Sequence, residues 1–174
     1  MSGQAGRYQR STAGLVGAML VMLLVVVGFV LLRDLTRVDP ESPGAPVDYQ
    51  QSATFAREQV GFEVLAPPAL PDGWRATSVE FVPQPARWHL GLLTEEGRYV
   101  GLEQVDSSVE SMVTTYVDDE ATQGGDVTIE GRPWSTWTDD EGDTALVRDG
   151  REVTTLVVGP VEQDVLVDYV KILR

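Results

Sequence analysis

Residues 13–32, AGLVGAMLVMLLVVVGFVLL, are twenty consecutive positions without a charge. As a helix the run spans roughly 30 Å, the thickness of a bilayer's hydrocarbon core. No other stretch so narrows what the chain can fold into, because backbone in hydrocarbon must satisfy its polar groups internally. A cleavable signal peptide has a shorter apolar region, about 7–15 residues, ending at a small-x-small site. Here the run leads into RDLTRVDP, and without cysteine there is no lipoprotein anchor either. The expectation is an uncleaved transmembrane helix over 13–32 behind a short cytoplasmic stub, 1–12. Arg7 and Arg10 balance Arg33 and Arg37 across the span, and the free amino terminus tips the count toward a cytoplasmic N-terminus. That predicts a single-pass cell-membrane protein whose C-terminal domain is extracytoplasmic. Gly14 and Ala18 form a small-xxx-small pair, which lets helices approach closely and is also ordinary in membrane helices.

Residues 33–47, RDLTRVDPESPGAPV, hold three prolines and a glycine and predict a stiff juxtamembrane linker. Beyond it the charge is lopsided. From residue 38 onward 26 acidic residues face 9 basic ones, a net charge of −17. Such a surface disfavours nucleic acid and anionic headgroups, and suits cations or a basic partner. Twelve of the 13 basic residues are arginine.

Residues 48–174 are long enough for an autonomous core, burying roughly two-thirds of the unfolded surface. Asp48 with Gln51 predicts a capped helix running to about Val60, with Ala53, Ala56 and Val60 on one side. FEVLAP (62–67) reads as a strand, PPALPDGW as a proline-fixed turn, and RATSVEFV as an alternating strand. TEEGR, between two apolar runs, predicts a hairpin. SSVESMVTTYVDDE predicts a helix with Ser107 and Glu110 as its capping box and a stripe of Val109, Met112, Val113, Tyr116 and Val117. After QGGD, four strands are predicted: DVTIEG, PWSTWT, TALVR and EVTTLVVG. Pro160 opens a last helix with Val165, Leu166, Tyr169, Val170 and Leu173 inward. The whole is an α+β domain: a largely antiparallel sheet of about 7–8 strands with helices packed on it.

His89 is the only histidine, so most familiar chemistry would pass through it. Zinc needs three or four N, S or O ligands, commonly His and Cys, so no metal site or cofactor is expected. A Ser–His–acid triad would have to use His89 as its base, and nothing local in the sequence supports one. With Glu96 and Gly97 as a two-residue loop, His89 pairs with Gln104 and Leu93 with Val100. Gly91 and Leu102 then share that face, while Trp88, Leu90, Leu92 and Tyr99 lie on the other. His89 is thus expected to be half-buried and hydrogen-bonded to Gln104 or backbone, with a polar spot in a ligand cleft as the alternative. DDEGD (139–143) offers clustered oxygens to calcium but lacks EF-hand spacing and reads more simply as a solvated hairpin tip. VDDE (117–120) reads as the polar end of a helix. Trp74, Trp88, Trp134 and Trp137 invite a carbohydrate- or peptide-binding reading, although large aromatics usually serve the core. Trp134 and Trp137 point to opposite faces, which leaves room for one to be exposed.

LPDGW, WHLGLLTEEGRYVGLEQVD, IEGRPWSTW and VVGP behind an N-terminal span resemble an actinobacterial family of single-pass membrane proteins, the domain of unknown function 4245. The likeness runs over nearly the whole chain from the span onward. It implies a topology and a lineage but no catalytic residues. The order of elements also looks like PsbP-like domains. The functional expectation is a membrane-anchored binding or interaction module of the bacterial cell envelope, meeting an envelope protein, a lipid or a peptide, with no nameable catalytic machinery. Its rivals are a carboxylate-dependent envelope hydrolase and a structural partner of another membrane protein.

Overall fold

The structure, a computed structural model, describes residues 47–174. The expected stub, the span over 13–32 with its Gly14–Ala18 pair, and all but the last residue of the linker lie outside these. Among the described residues no helix is long and apolar enough to cross a membrane.

Helix α1 (Tyr49–Gln59) starts where Asp48 accepts the amide of Gln51, as the capping pattern implied, and it buries Tyr49, Ala53 and Ala56. Three strands follow, β1 (Arg75–Pro83), β2 (Ala86–Leu93) and β3 (Tyr99–Val105), and then α2 (Val109–Tyr116). Four more, β4 (Thr122–Ile129), β5 (Arg132–Thr138), β6 (Thr144–Arg148) and β7 (Thr154–Gly159), lead to α3 (Gln163–Ile172). They form one seven-stranded sheet in the order β1-β2-β3-β7-β6-β5-β4. Every neighbouring pair is antiparallel.

Both faces of the sheet are covered, unequally. On one, Trp88, Leu90, Leu92, Val100, Leu102, Val157, Leu146 and Trp134 meet the buried sides of α1 and α3 in the main core. On the other, the expected α2 stripe, led by Met112 and Val113, covers Ala145, Val147, Leu156 and Val158 at the middle of the sheet. The β1–β3 part of that second face includes the polar side chains of Ser78, His89 and Glu103.

Several local expectations need correction. FEVLAP is not a strand. Along residues 63–66 side chains occupy the places a neighbouring strand would fill: Gln104 Oε1 accepts from Leu65 N (2.7 Å), Trp88 Nε1 donates to Leu65 O (2.9 Å), and Arg57 Nε donates to Val64 O (3.0 Å). Only Ala66 exchanges backbone bonds, with Arg174. The cap of α2 is Ser108, whose hydroxyl accepts from Ser111 N (3.2 Å), while Ser107 O accepts from Thr154 Oγ1 (2.5 Å). The strand expected to begin after QGGD begins at Thr122 instead: Gln123 to Asp126 is a bulge within β4, and a side chain at Gly124 would meet Thr136.

The β2–β3 register also differs from the expectation by one residue. Leu93 faces Tyr99, Leu92 faces Val100, His89 faces Glu103 and Trp88 faces Gln104. The loop holds three residues, not two: Gly97 N donates to Thr94 O (3.0 Å), Thr94 N to Arg98 O (2.9 Å), and only Gly97 has a positive φ, 77°. That is a type I turn closed by a glycine bulge. A one-residue slip exchanges the two faces. Here it collects Val100 and Leu102 with Trp88, Leu90 and Leu92 in the core, and Tyr99, Gly101 and Glu103 with His89 outside it.

Candidate functional site

His89 stands on the polar part of the second face, with 18% of its side chain exposed. Its partner is neither Gln104 nor backbone. Nδ1 hydrogen-bonds Glu103 Oε1, and Nε2 lies 2.9 Å from Ser78 Oγ. Gln104 is fully buried on the core face, bonded to Leu65 N, to Glu63 O and to Thr155 Oγ1. The slipped register thus separates two residues expected to be a pair and gives His89 a carboxylate.

Three neighbouring strands supply the Ser78–His89–Glu103 chain. A carboxylate only accepts, so Nδ1 is the donor to Glu103, and in the neutral imidazole Nε2 is left to accept the Ser78 hydroxyl. The Glu103 side chain is 6% exposed. Ser78 follows the bulge in β1 between Ala76 and Ser78, which turns its hydroxyl onto this face opposite Gly91. Glycine is required there: any side chain at Gly91 would collide with Ser78 Oγ and stand 3.0 Å from Tyr99 Oη. The Tyr99 ring lies across Gly91 and Gly101. Its hydroxyl and that of Tyr116 titrate above the ordinary tyrosine range, through burial first and the Glu103 charge second. Arg87 pairs with Glu80 at 2.6 Å on the rim.

A second site lies at the end of the core face, where 63–65, the β4–β5 hairpin and the end of α3 converge. A pocket of about 190 Å³ is lined by Arg132, Arg148 and Arg174, with Glu63, Glu130 and Trp134 among its other walls. Arg148 ends β6 on the same face as Leu146, so its stem is drawn toward the core, and its guanidinium sits 5.1 Å from the centre of the Trp134 ring. Its Nε is buried and has no hydrogen-bond partner among the described residues. Burial, then repulsion from Arg132, lowers the Arg148 pKa. Two carboxylates stand at the rim: Glu63 lies 3.9 Å from Arg132 and its charge also reaches Arg148, and Glu130 lies 3.5 Å from Arg174. The arrangement can receive an anion. Sequence reading missed this site because the three arginines are far apart in the chain. One signal was available: in TALVR, period-two alternation puts Arg148 beside Leu146 on the core face.

A third feature is an apolar groove of about 520 Å³ between residues 69–74 and α3, with Trp74 stacked on Tyr169 at 5.6 Å. Trp134 and Trp137 do point to opposite faces, but Trp134 is buried and Trp137 packs beside α2, so neither is a freely exposed aromatic. In DDEGD, Asp139 Oδ1 accepts from Gly142 N and Asp143 N, both at 2.8 Å, so this carboxylate caps the hairpin. Among the described residues, no three His, Cys, Asp or Glu side chains are grouped to hold a metal ion.

No curated protein and no solved structure matches the chain. A family model described as protein of unknown function (DUF4245) matches residues 7–173, nearly the full length, and the chain belongs to that family.

Proposed function

We propose that this protein is a membrane-anchored, extracytoplasmic binding module of the bacterial cell envelope, and that its ligand presents a carboxylate or phosphate to the arginine pocket. The observation that carries the reading is Arg148, a guanidinium held against Trp134 with its Nε buried and unpartnered among the described residues. Buried polar groups are normally satisfied, and a charged group partly buried at a pocket wall is costly unless an opposite charge is brought to it. Three of the nine basic residues beyond position 38 line this pocket, in a domain whose charge otherwise repels anions. Arginine's fork matches the paired oxygens of carboxylate and phosphate.

The anchor rests on the uncharged run over 13–32, which the family match includes, and its orientation on the flanking charges. An order of helix, three strands, helix, four strands and helix is in keeping with a PsbP-like domain. The actinobacterial lineage belongs to the same reading.

Calorimetric titration of the full-length chain with inorganic phosphate and, separately, with succinate tests the site. One saturable site is expected, weakened at least about tenfold in Arg148→Met, which keeps the stem over Trp134 and removes the fork. The relative affinity of the two anions names the ligand chemistry. No saturable binding of either, or equal binding by Arg148→Met, would refute the reading.

A further inference from the structure

We propose that Ser78 is a nucleophilic serine that accepts the acyl group of small carboxylic esters, with His89 as its general base, Tyr99 as donor to the developing oxyanion, and Glu103 as the positioning residue behind His89. This is independent of the arginine pocket, which lies on the other face of the sheet. The relay runs in the polarity that acyl transfer requires, hydroxyl to Nε2 and Nδ1 to carboxylate, at 2.9 Å for its first link. A triad is recognised by geometry and roles and not by spacing in the chain. That is why residues 78, 89 and 103 carried no local motif.

The surroundings add two further requirements. Main-chain amides of β2 and β3 are engaged in the sheet, so over these two strands an oxyanion donor comes from a side chain. Tyr99 Oη lies above the same glycine, Gly91, as Ser78 Oγ, and it is held protonated by burial and by the Glu103 charge. The Tyr99 ring fills the space over Gly91 and Gly101, so approach is from the side of β1, an edge strand among the described residues. A site narrowed by that ring suits a short acyl group. In the step itself Ser78 Oγ bonds to the carbonyl carbon as its proton passes to His89 Nε2. Collapse breaks the carbon–oxygen bond to the leaving alcohol, which departs with that proton or as a stabilised phenolate. Water then releases the acid and restores Ser78.

The test uses the full-length chain and p-nitrophenyl acetate. A burst of one equivalent of p-nitrophenolate is expected, with a single acetyl group located on Ser78 by peptide mass spectrometry. Ser78→Ala abolishes the burst, and His89→Gln slows it about 10²–10⁴-fold, the usual worth of a general base. Ser111→Ala, at an exposed position of α2, leaves it unchanged. Glu103→Ala slows it too, and added formate restores part of the rate, which a merely structural loss would not show. Far-UV circular dichroism establishes that each variant is folded. Absence of a burst in the folded wild-type chain, acetyl on another residue, or a burst unaffected by His89→Gln would overturn the assignment.

Discussion

Tyr169 carries a buried hydroxyl that no acceptor among the described residues reaches. Burial, and then the neighbouring Tyr49, push its pKa upward, so the group stays a neutral and unsatisfied donor. Tyr169→Phe keeps the ring stacked on Trp74 and removes only that hydroxyl. A gain of about 1 kcal/mol is expected, since an unmade buried hydrogen bond costs about 1–3 kcal/mol. Urea unfolding reads it as a higher midpoint at unchanged slope. A lower midpoint would mean that water satisfies the hydroxyl. Gln104 is the opposite case. It holds Leu65 N and Glu63 O, so 63–66 stays docked without a strand beside it. Gln104→Leu has nearly the right shape yet leaves two main-chain groups unpaired, and should cost about 2–3 kcal/mol. Neither role is legible from the residue type. A buried glutamine does in space what a strand would do in sequence, so FEVLAP reads as β while its partners are side chains.

At the scale of elements, helices and most strands follow from stripes and alternation, whereas register does not follow from turn residues alone. Two Glu-Gly dipeptides show why. Glu130-Gly131 is a two-residue loop with both φ positive, 50° and 77°, joining Ile129 to Arg132. Glu96-Gly97 has only Gly97 positive and closes a loop one residue longer, in which Thr94 Oγ1 also accepts from Arg98 N at 3.2 Å. The same pair of residues serves either loop, and burial decides. Only the longer one puts Val100 and Leu102 on the face of Trp88, Leu90 and Leu92. Matching those two apolar sets was the signal available in the sequence, and it would also have set His89 opposite Glu103. Nothing lies near the missing side chain of Gly97, so Gly97→Ala tests its backbone alone. A loss of about 1 kcal/mol is expected in thermal or urea unfolding, with the fold retained. In the β5–β6 hairpin, burial first, then Asp139 and Glu141, raise the Asp143 pKa. An acid with a raised folded pKa binds its proton more tightly when folded. It therefore favours the fold at low pH, and that favour is lost as pH rises through the folded value. Asp143→Asn should accordingly raise the melting temperature at pH 7, and the difference should vanish as pH falls through the carboxylate range.

For the molecule as a whole, charge is the property the sequence states most plainly and the fold distributes least evenly. Residues 46–174 cluster as one compact unit, and within it the described ion pairs are few and mostly exposed, worth little each. The net −17 beyond residue 38 then acts mainly as self-repulsion, stronger in the folded state, where like charges are closer. Raising sodium chloride from about 0.01 to 0.15 M shortens the screening length from about 30 to 8 Å. Stability should rise over that interval, on the order of 1 kcal/mol, and then level off. Anion binding at the arginine pocket would also stabilise the fold as salt is added, because any ligand of the native state does so. The two causes separate in Arg148→Met. Screening leaves its salt dependence parallel to that of the wild-type chain, whereas binding flattens it, and exchanging chloride for phosphate at equal ionic strength moves only the wild type. A stability that falls with salt in both chains would instead mean that attraction within the surface ion pairs outweighs the repulsion among the acidic side chains.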